Sequence, residues 1–195
     1  MPSRKNFYEA VYHTSDERKL AWYQEDAPEF LQKLAKGFKG KETALDIGCG
    51  TGTNTVYLAK LGLQVTALDF VENALIFARK NAEKANVHID FVHADIFKWK
   101  VPQTFDVILD SGCLHNFRGS QRDDYKNIVL SLMNSKSYFI LAHFGRESPF
   151  SLPFGPVKCS KKKIVDFFEP ELRLLDFSTE NKKGELYYYC FSKRT

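Results

Sequence analysis

The chain has 195 residues, 44% of them hydrophobic and 27% charged, with a formal net charge of +4. Such a length supports one domain with a complete core, and the composition excludes a disordered, fibrous or disulfide-stapled chain. The positive excess, gathered at Lys158, Lys161, Lys162, Lys163, Lys182 and Lys183, is too small to form a phosphate footprint by itself and reads as a solvated face. No nucleic-acid partner is therefore expected. Cys49, Cys113, Cys159 and Cys190 stand far apart with no C-x-x-C pair, which speaks against zinc and against a redox dithiol. The opening Met1-Pro2-Ser3-Arg4-Lys5-Asn6 has no apolar stretch behind its charges, and no apolar run approaches the ~20 residues that span a bilayer. The expectation is a cytoplasmic protein without a membrane partner.

Residues 1–40 are polar and aromatic and read as a helical lid segment ahead of a domain over 41–195. A helix is predicted from Pro28, which suits a first turn, to Lys36, with Gly37 at its end. Thr43 to Ile47 reads as a buried strand, followed by a glycine turn and a helix to about Leu61. Gln64 to Leu68 is the second strand, and Glu72 to Ala85 a helix. On that helix Ala74, Ala78 and Ala82 recur every four residues and let it lie close to a sheet. His88 to Val92, Phe105 to Leu109 and Ser137 to His143 continue the strands, and Ser120 with Asp123 predicts a capping box for a helix ending near Met133. A loop over Phe144 to Pro156 leads to a helix at Ser160 to Phe168. The strands Glu171 to Phe177 and Leu186 to Phe191 follow, joined by a turn at Asn181 to Gly184. Strands alternating with helices imply parallel pairing in a doubly wound α/β sheet, with the last hairpin antiparallel.

The informative stretch is Asp46-Ile47-Gly48-Cys49-Gly50-Thr51-Gly52. Its spacing is G-x-G-x-G. A dinucleotide fingerprint needs a third glycine or alanine where Thr53 stands, and the Walker lysine is absent as well. An acid two residues before the first glycine suits a cationic ligand better than a pyrophosphate. Asp69 ends the second strand, where a carboxylate can accept from both hydroxyls of a ribose, and Asp95 follows the third, in position for an adenine amino group. Each acid alone is as readily a helix cap, but caps alone do not account for three at successive strand ends. As a strand-end residue, Asp69 is expected to tolerate replacement without loss of the fold.

These residues resemble the class I methyltransferases that use S-adenosylmethionine (SAM). Asp46 to Gly52 is similar to their first motif, Asp69 to their ribose acid, Ala94-Asp95-Ile96 to their adenine motif, and Phe105 to Gly112 to the fourth-strand motif beside the methyl donor. Trp22 with Pro28, Asp110 to His115, and Gly155-Pro156 resemble the thiopurine and tellurite branch, whose members act on small molecules. The resemblance implies a Rossmann-like sheet of seven strands and SAM as cofactor. It also implies a binding set of Trp22, Asp46, Gly48, Cys49, Gly50, Gly52, Asp69, Phe70, Asp95, Ile96, Asp110 and Ser111. The chain departs from the family at Met133-Asn134-Ser135-Lys136, which replaces the usual Pro-Gly-Gly turn, and an altered turn is expected there.

A base is needed only where the acceptor is not already a nucleophile. The candidate is His115, in the loop after the fourth strand, with His143 at the end of the fifth; a structural role for either is the plainer alternative. Asp110, His115 and His143 carry no ligand spacing, so no metal is expected. Phe7, Tyr8, Tyr12, Trp22 and Tyr23, with Phe144, Phe150 and Phe154, suit a lid over a small, partly apolar acceptor, or equally satellite cores under loops. The reaction read from the sequence is methyl transfer to sulfur, oxygen, nitrogen or a chalcogen. Methylation of RNA or protein, or non-catalytic SAM binding, stays open. Against base amino methylation, Asp110-Ser111-Gly112-Cys113 stands where a [DN]-P-P-[YF] motif is needed.

Overall fold

The computed structural model describes residues 4–13, 16–145, 156–180 and 185–194. Phe150, Phe154, Gly155, Lys182, Lys183 and the Asn181 to Gly184 turn lie outside the described residues. Seven strands form one mixed sheet in the order β3-β2-β1-β4-β5-β7-β6. By contact the chain falls into two compact units, residues 1–100 and 101–195.

In the first unit, β1 (Thr43–Ile47) and β2 (Gln64–Asp69) are buried along nearly their whole length, as befits parallel strands covered on both faces. They pair in parallel, Thr43 opposite Gln64 and Ile47 opposite Leu68. On the far side β2 pairs in parallel with β3 (Asp90–His93). That strand starts two residues later than its apolar pattern suggests, because His88 and Ile89 precede the first residue that meets β2. Helix α3 (Thr53–Lys60) follows β1, and α4 (Glu72–Ala85) follows β2. The alanine stripe of α4 is buried as its spacing requires, together with Leu75. Ahead of the sheet come α1 (Arg4–Val11), a 3-10 turn (Glu17–Lys19) and α2 (Glu29–Ala35). This segment is packed rather than loose: Tyr12 and Leu20 form a cluster with Val71 and Ala74 of the β2–α4 junction, flanked by Tyr8, Tyr23, Phe70 and Phe77.

In the second unit, β4 (Phe105–Ser111) pairs in parallel with β5 (Met133–Phe144), and α5 (Ser120–Leu132) connects them. After α6 (Lys161–Phe168), β6 (Leu172–Glu180) and β7 (Leu186–Lys193) pair antiparallel, and β7 also pairs antiparallel with β5. Phe139, Phe168, Tyr189 and Phe191, all fully buried, make a ring-on-ring core.

Two sequence expectations are corrected here. The residue before α5 is Gly119, with no side-chain cap, so Ser120 is the first helical residue and not the cap of a capping box. Met133 to Lys136 is not a separate turn but the start of β5. The irregularity is absorbed as a register shift between Phe105 and Val107, and Ser137 Oγ accepts from Asn134 N at 2.7 Å and donates to Phe105 O. A polar side chain there does the joining that a Pro-Gly-Gly turn would otherwise do.

Candidate functional site

The glycine turn is strapped to the end of β2. Gly48 N and Cys49 N both donate to Leu68 O, at 2.8 and 3.0 Å, and Gly52 N closes back on Cys49 O at 3.0 Å. Gly52 has φ +81°, and a Cβ on it would lie 2.9 Å from the Cβ of Ala78 on α4. Only glycine permits both that conformation and that approach. Asn81 of α4 donates to Thr51 O at 3.1 Å and to Glu17 Oε2 at 2.8 Å, and Thr53 Oγ1 donates to Gln24 O at 2.8 Å. The N-terminal segment is thus tied to both the turn and α4. Sequence reasoning missed these residues, since their partners lie 29 to 64 positions away.

Two buried carboxylates flank the turn. Asp46 accepts from Thr55 Oγ1 at 2.5 Å, which ties the end of β1 to the first turn of α3. Asp69, 5% exposed, accepts from Gly50 N at 3.0 Å with one oxygen and from Val71 N at 2.9 Å with the other. Burial pushes the Asp69 pKa up, and these backbone donors pull it back. The Phe70 N–H is a third backbone donor to this carboxylate, whose two oxygens offer four lone pairs in all. Burial, with Asp69 and Asp46 nearby, raises the Cys49 thiol well above its ordinary value, so its contribution to the turn is backbone and bulk.

Asp95 is exposed. Its Oδ1 accepts from Phe97 N at 3.0 Å and its carbonyl from Lys98 N and Trp99 N at 2.9 Å, the geometry of a turn cap. Ile96 beside it is buried. Phe70 meets the Tyr8 ring edge to face at 5.9 Å. Trp22 is 39% exposed, and its indole N–H donates to the Tyr12 hydroxyl at 2.9 Å. The first unit therefore gathers Trp22, Asp46, Gly48, Cys49, Gly50, Gly52, Asp69 and Phe70 around one turn, with Asp95 and Ile96 one strand further out.

In the second unit Asp110 is fully buried and saturated. Gly112 N and Cys113 N donate to one oxygen, Leu114 N and the Tyr125 hydroxyl to the other, the last at 2.6 Å. This differs from the expectation that Asp110 meets a ligand, because no carboxylate lone pair is left over. Its side chain shapes the loop that carries exposed Ser111 and partly buried His115. The His115 ring lies 4.9 Å from that of Phe144 and 6.0 Å, edge to face, from that of His143. His143 is fully buried, with Nδ1 2.8 Å from Phe144 O. Burial holds its pKa at about 4, so it is neutral at ordinary pH.

Fold and turn together define a doubly wound α/β protein whose glycine turn is flanked by two buried acids, Asp46 and Asp69. The comparisons agree. Residues 44–134 match the family described as a methyltransferase domain. An uncharacterized methyltransferase of Schizosaccharomyces pombe is 33% identical over 108 residues, spanning 53% of this chain and 72% of the relative. A probable SAM-dependent methyltransferase, TehB of Haemophilus influenzae, is 37% identical over 67 residues, 34% of this chain and 23% of TehB. The crystal structure of the Burkholderia thailandensis 1,6-didemethyltoxoflavin-N1-methyltransferase, with its acceptor and S-adenosylhomocysteine bound, superposes with a TM-score of 0.79. It is 21% identical and covers 98% of this chain and 87% of its own. The chain belongs to the class I SAM-dependent methyltransferases and is an enzyme with SAM as its cofactor. Among the described residues, no helix is long and apolar enough to cross a membrane.

Proposed function

We propose that this enzyme methylates a small-molecule nucleophile in the cytoplasm, with residues 1–40 serving as a lid segment and 41–195 as the methyltransferase domain. The observation that carries this reading is the aromatic cover. Tyr8, Tyr12, Trp22 and Phe70 form one ring cluster beside the glycine turn. Rings in such places suit a compact, partly apolar acceptor kept from water. The likeness to a small-molecule methyltransferase over nearly the whole chain supports the same class.

SAM supplies a methyl group on a sulfonium, whose displacement relieves a positive charge. The chain's part is to hold and orient. Asp69 accepts from the ribose hydroxyls, and Asp95, followed by buried Ile96, accepts from the adenine amino group, with Phe70 in the ring cluster beside Asp69. Asp46, Gly48, Cys49, Gly50 and Gly52 shape the turn for the amino-acid end, with Trp22 in the cover above them. Asp110 acts through the loop it organises, and Ser111 and His115 are the residues of that loop that meet the acceptor. Orientation of this kind is worth ~7–11 kcal/mol of barrier. His115 takes the proton of an acceptor that must lose one.

The test is transfer from labelled SAM to a panel of thiols, selenite, tellurite and phenols. Label in one of these is the expected result. Label only in RNA or protein, or SAM binding with no transfer at all, contradicts the reading. His115→Gln is expected to lower kcat by ~10²–10⁴ for a hydroxyl acceptor, with SAM affinity nearly unchanged and far less loss for a preionised thiolate. Equal activity on every acceptor across pH assigns His115 to structure.

A further inference from the structure

Tyr12 is 5% exposed, and its hydroxyl stands 3.0 Å from the point that a Cβ on Gly50 would occupy. Gly50 has φ +57°, a conformation that favours glycine, and a Cβ there would press on this hydroxyl. The phenol hangs over the middle of the glycine turn, held there by packing on Leu20, Val71 and Ala74. A tyrosine hydroxyl has one proton to give and lone pairs to receive. Indole N–H is a donor only, so the 2.9 Å bond from Trp22 uses a lone pair of Tyr12 and leaves the proton to be given elsewhere. Among the described residues, no acceptor takes it. Burial and the nearby Asp69 raise the Tyr12 pKa far above its ordinary value, so it stays a phenol and a donor.

A buried donor with no acceptor is costly unless a ligand supplies one. The acids at this turn, Asp46 and Asp69, are acceptors, suited to an ammonium and to hydroxyls. At the amino-acid end of the cofactor the polar group besides the ammonium is the carboxylate, which can only accept. None of Gly48, Cys49, Gly50, Thr51 and Gly52 carries a cation to meet it. We propose that the Tyr12 hydroxyl donates to the carboxylate at the amino-acid end of the cofactor, and that Trp22 is a positioning residue that acts through Tyr12. The assignment rests on the glycine turn being the SAM site, and it moves Trp22 from direct contact to orientation of its neighbour.

Tyr12→Phe keeps the ring and removes only the hydroxyl. Calorimetric titration with S-adenosylhomocysteine is compared with 5′-deoxy-5′-methylthioadenosine, which keeps adenosine and thioether but lacks the amino-acid end. Tyr12→Phe is expected to weaken S-adenosylhomocysteine ~10-fold, the scale of a charge-assisted hydrogen bond, and to leave methylthioadenosine affinity unchanged. Trp22→Phe should weaken S-adenosylhomocysteine by less and add nothing in the Tyr12→Phe background. Equal weakening of both ligands, or unchanged S-adenosylhomocysteine affinity, overturns the proposal. Wild-type protein that binds neither ligand instead overturns the cofactor site itself. Should Tyr12→Phe fail to fold, decarboxylated S-adenosylhomocysteine on the wild type serves in its place. Weaker binding than the parent by ~10-fold is expected, and equal affinity overturns the assignment.

Discussion

Asp69 has two jobs that one substitution would confuse. Its carboxylate braces the turn through Gly50 N and the start of α4 through Val71 N, and the proposed function adds a ribose to the same two oxygens. Asp69→Ala would strand two N–H groups where the carboxylate is 5% exposed, so it is expected to lower the melting temperature as well as the affinity. The fold is still expected to survive, at reduced stability. Asp69→Asn keeps one acceptor oxygen and is the cleaner variant. It should weaken S-adenosylhomocysteine by ~1.5–3 kcal/mol with a smaller loss of melting temperature than Asp69→Ala. Unchanged affinity in folded Asp69→Asn would leave the residue a brace alone. Position was legible in the sequence at this scale, because the end of an apolar run is a local signal. The bonding was not. Gly50 is 19 residues from Asp69, and the Tyr125 hydroxyl that saturates Asp110 is 15 residues away. Neither pairing leaves a trace in spacing.

At the scale of elements, β1 and α4 have the bounds that their patterns predict, since each combines an unbroken periodicity with a clear stop. The start of β5 is less legible. Asn134, Ser135 and Lys136 carry the composition of a turn, and only pairing with β4 and the Ser137 bonds make them strand. β5 also sets a pH dependence. His143, at its far end, has a pKa of about 4 when folded against 6.5 when unfolded. Between those values the unfolded chain binds a proton that the folded chain refuses, so stability falls as pH drops from 6.5 towards 4. The loss reaches about 3 kcal/mol and levels off below the folded value. Urea denaturation of wild type and His143→Gln at several pH values measures it: the variant should lose most of that slope. An identical slope in both proteins assigns the acid lability to other groups.

For the molecule as a whole, alternation of strand and helix was enough to read a doubly wound sheet, because parallel strands buried on both faces stand out as short apolar runs. The insertion of β7 between β5 and β6 is the long-range feature that the C-terminal hairpin pattern alone does not specify. What separates this enzyme from dinucleotide-binding proteins of similar build is the turn itself, with Thr53 where the third glycine would stand and buried Asp46 two residues before the first. A pyrophosphate at the turn would meet the Asp46 carboxylate, whereas an ammonium group there would be attracted to it. Calorimetric titration of the intact chain with S-adenosylhomocysteine and, separately, NAD tests this most directly. Saturable binding of S-adenosylhomocysteine at one site per chain, with no heat from NAD, is the expected result; tight NAD binding with no response to S-adenosylhomocysteine would contradict the assignment of this turn.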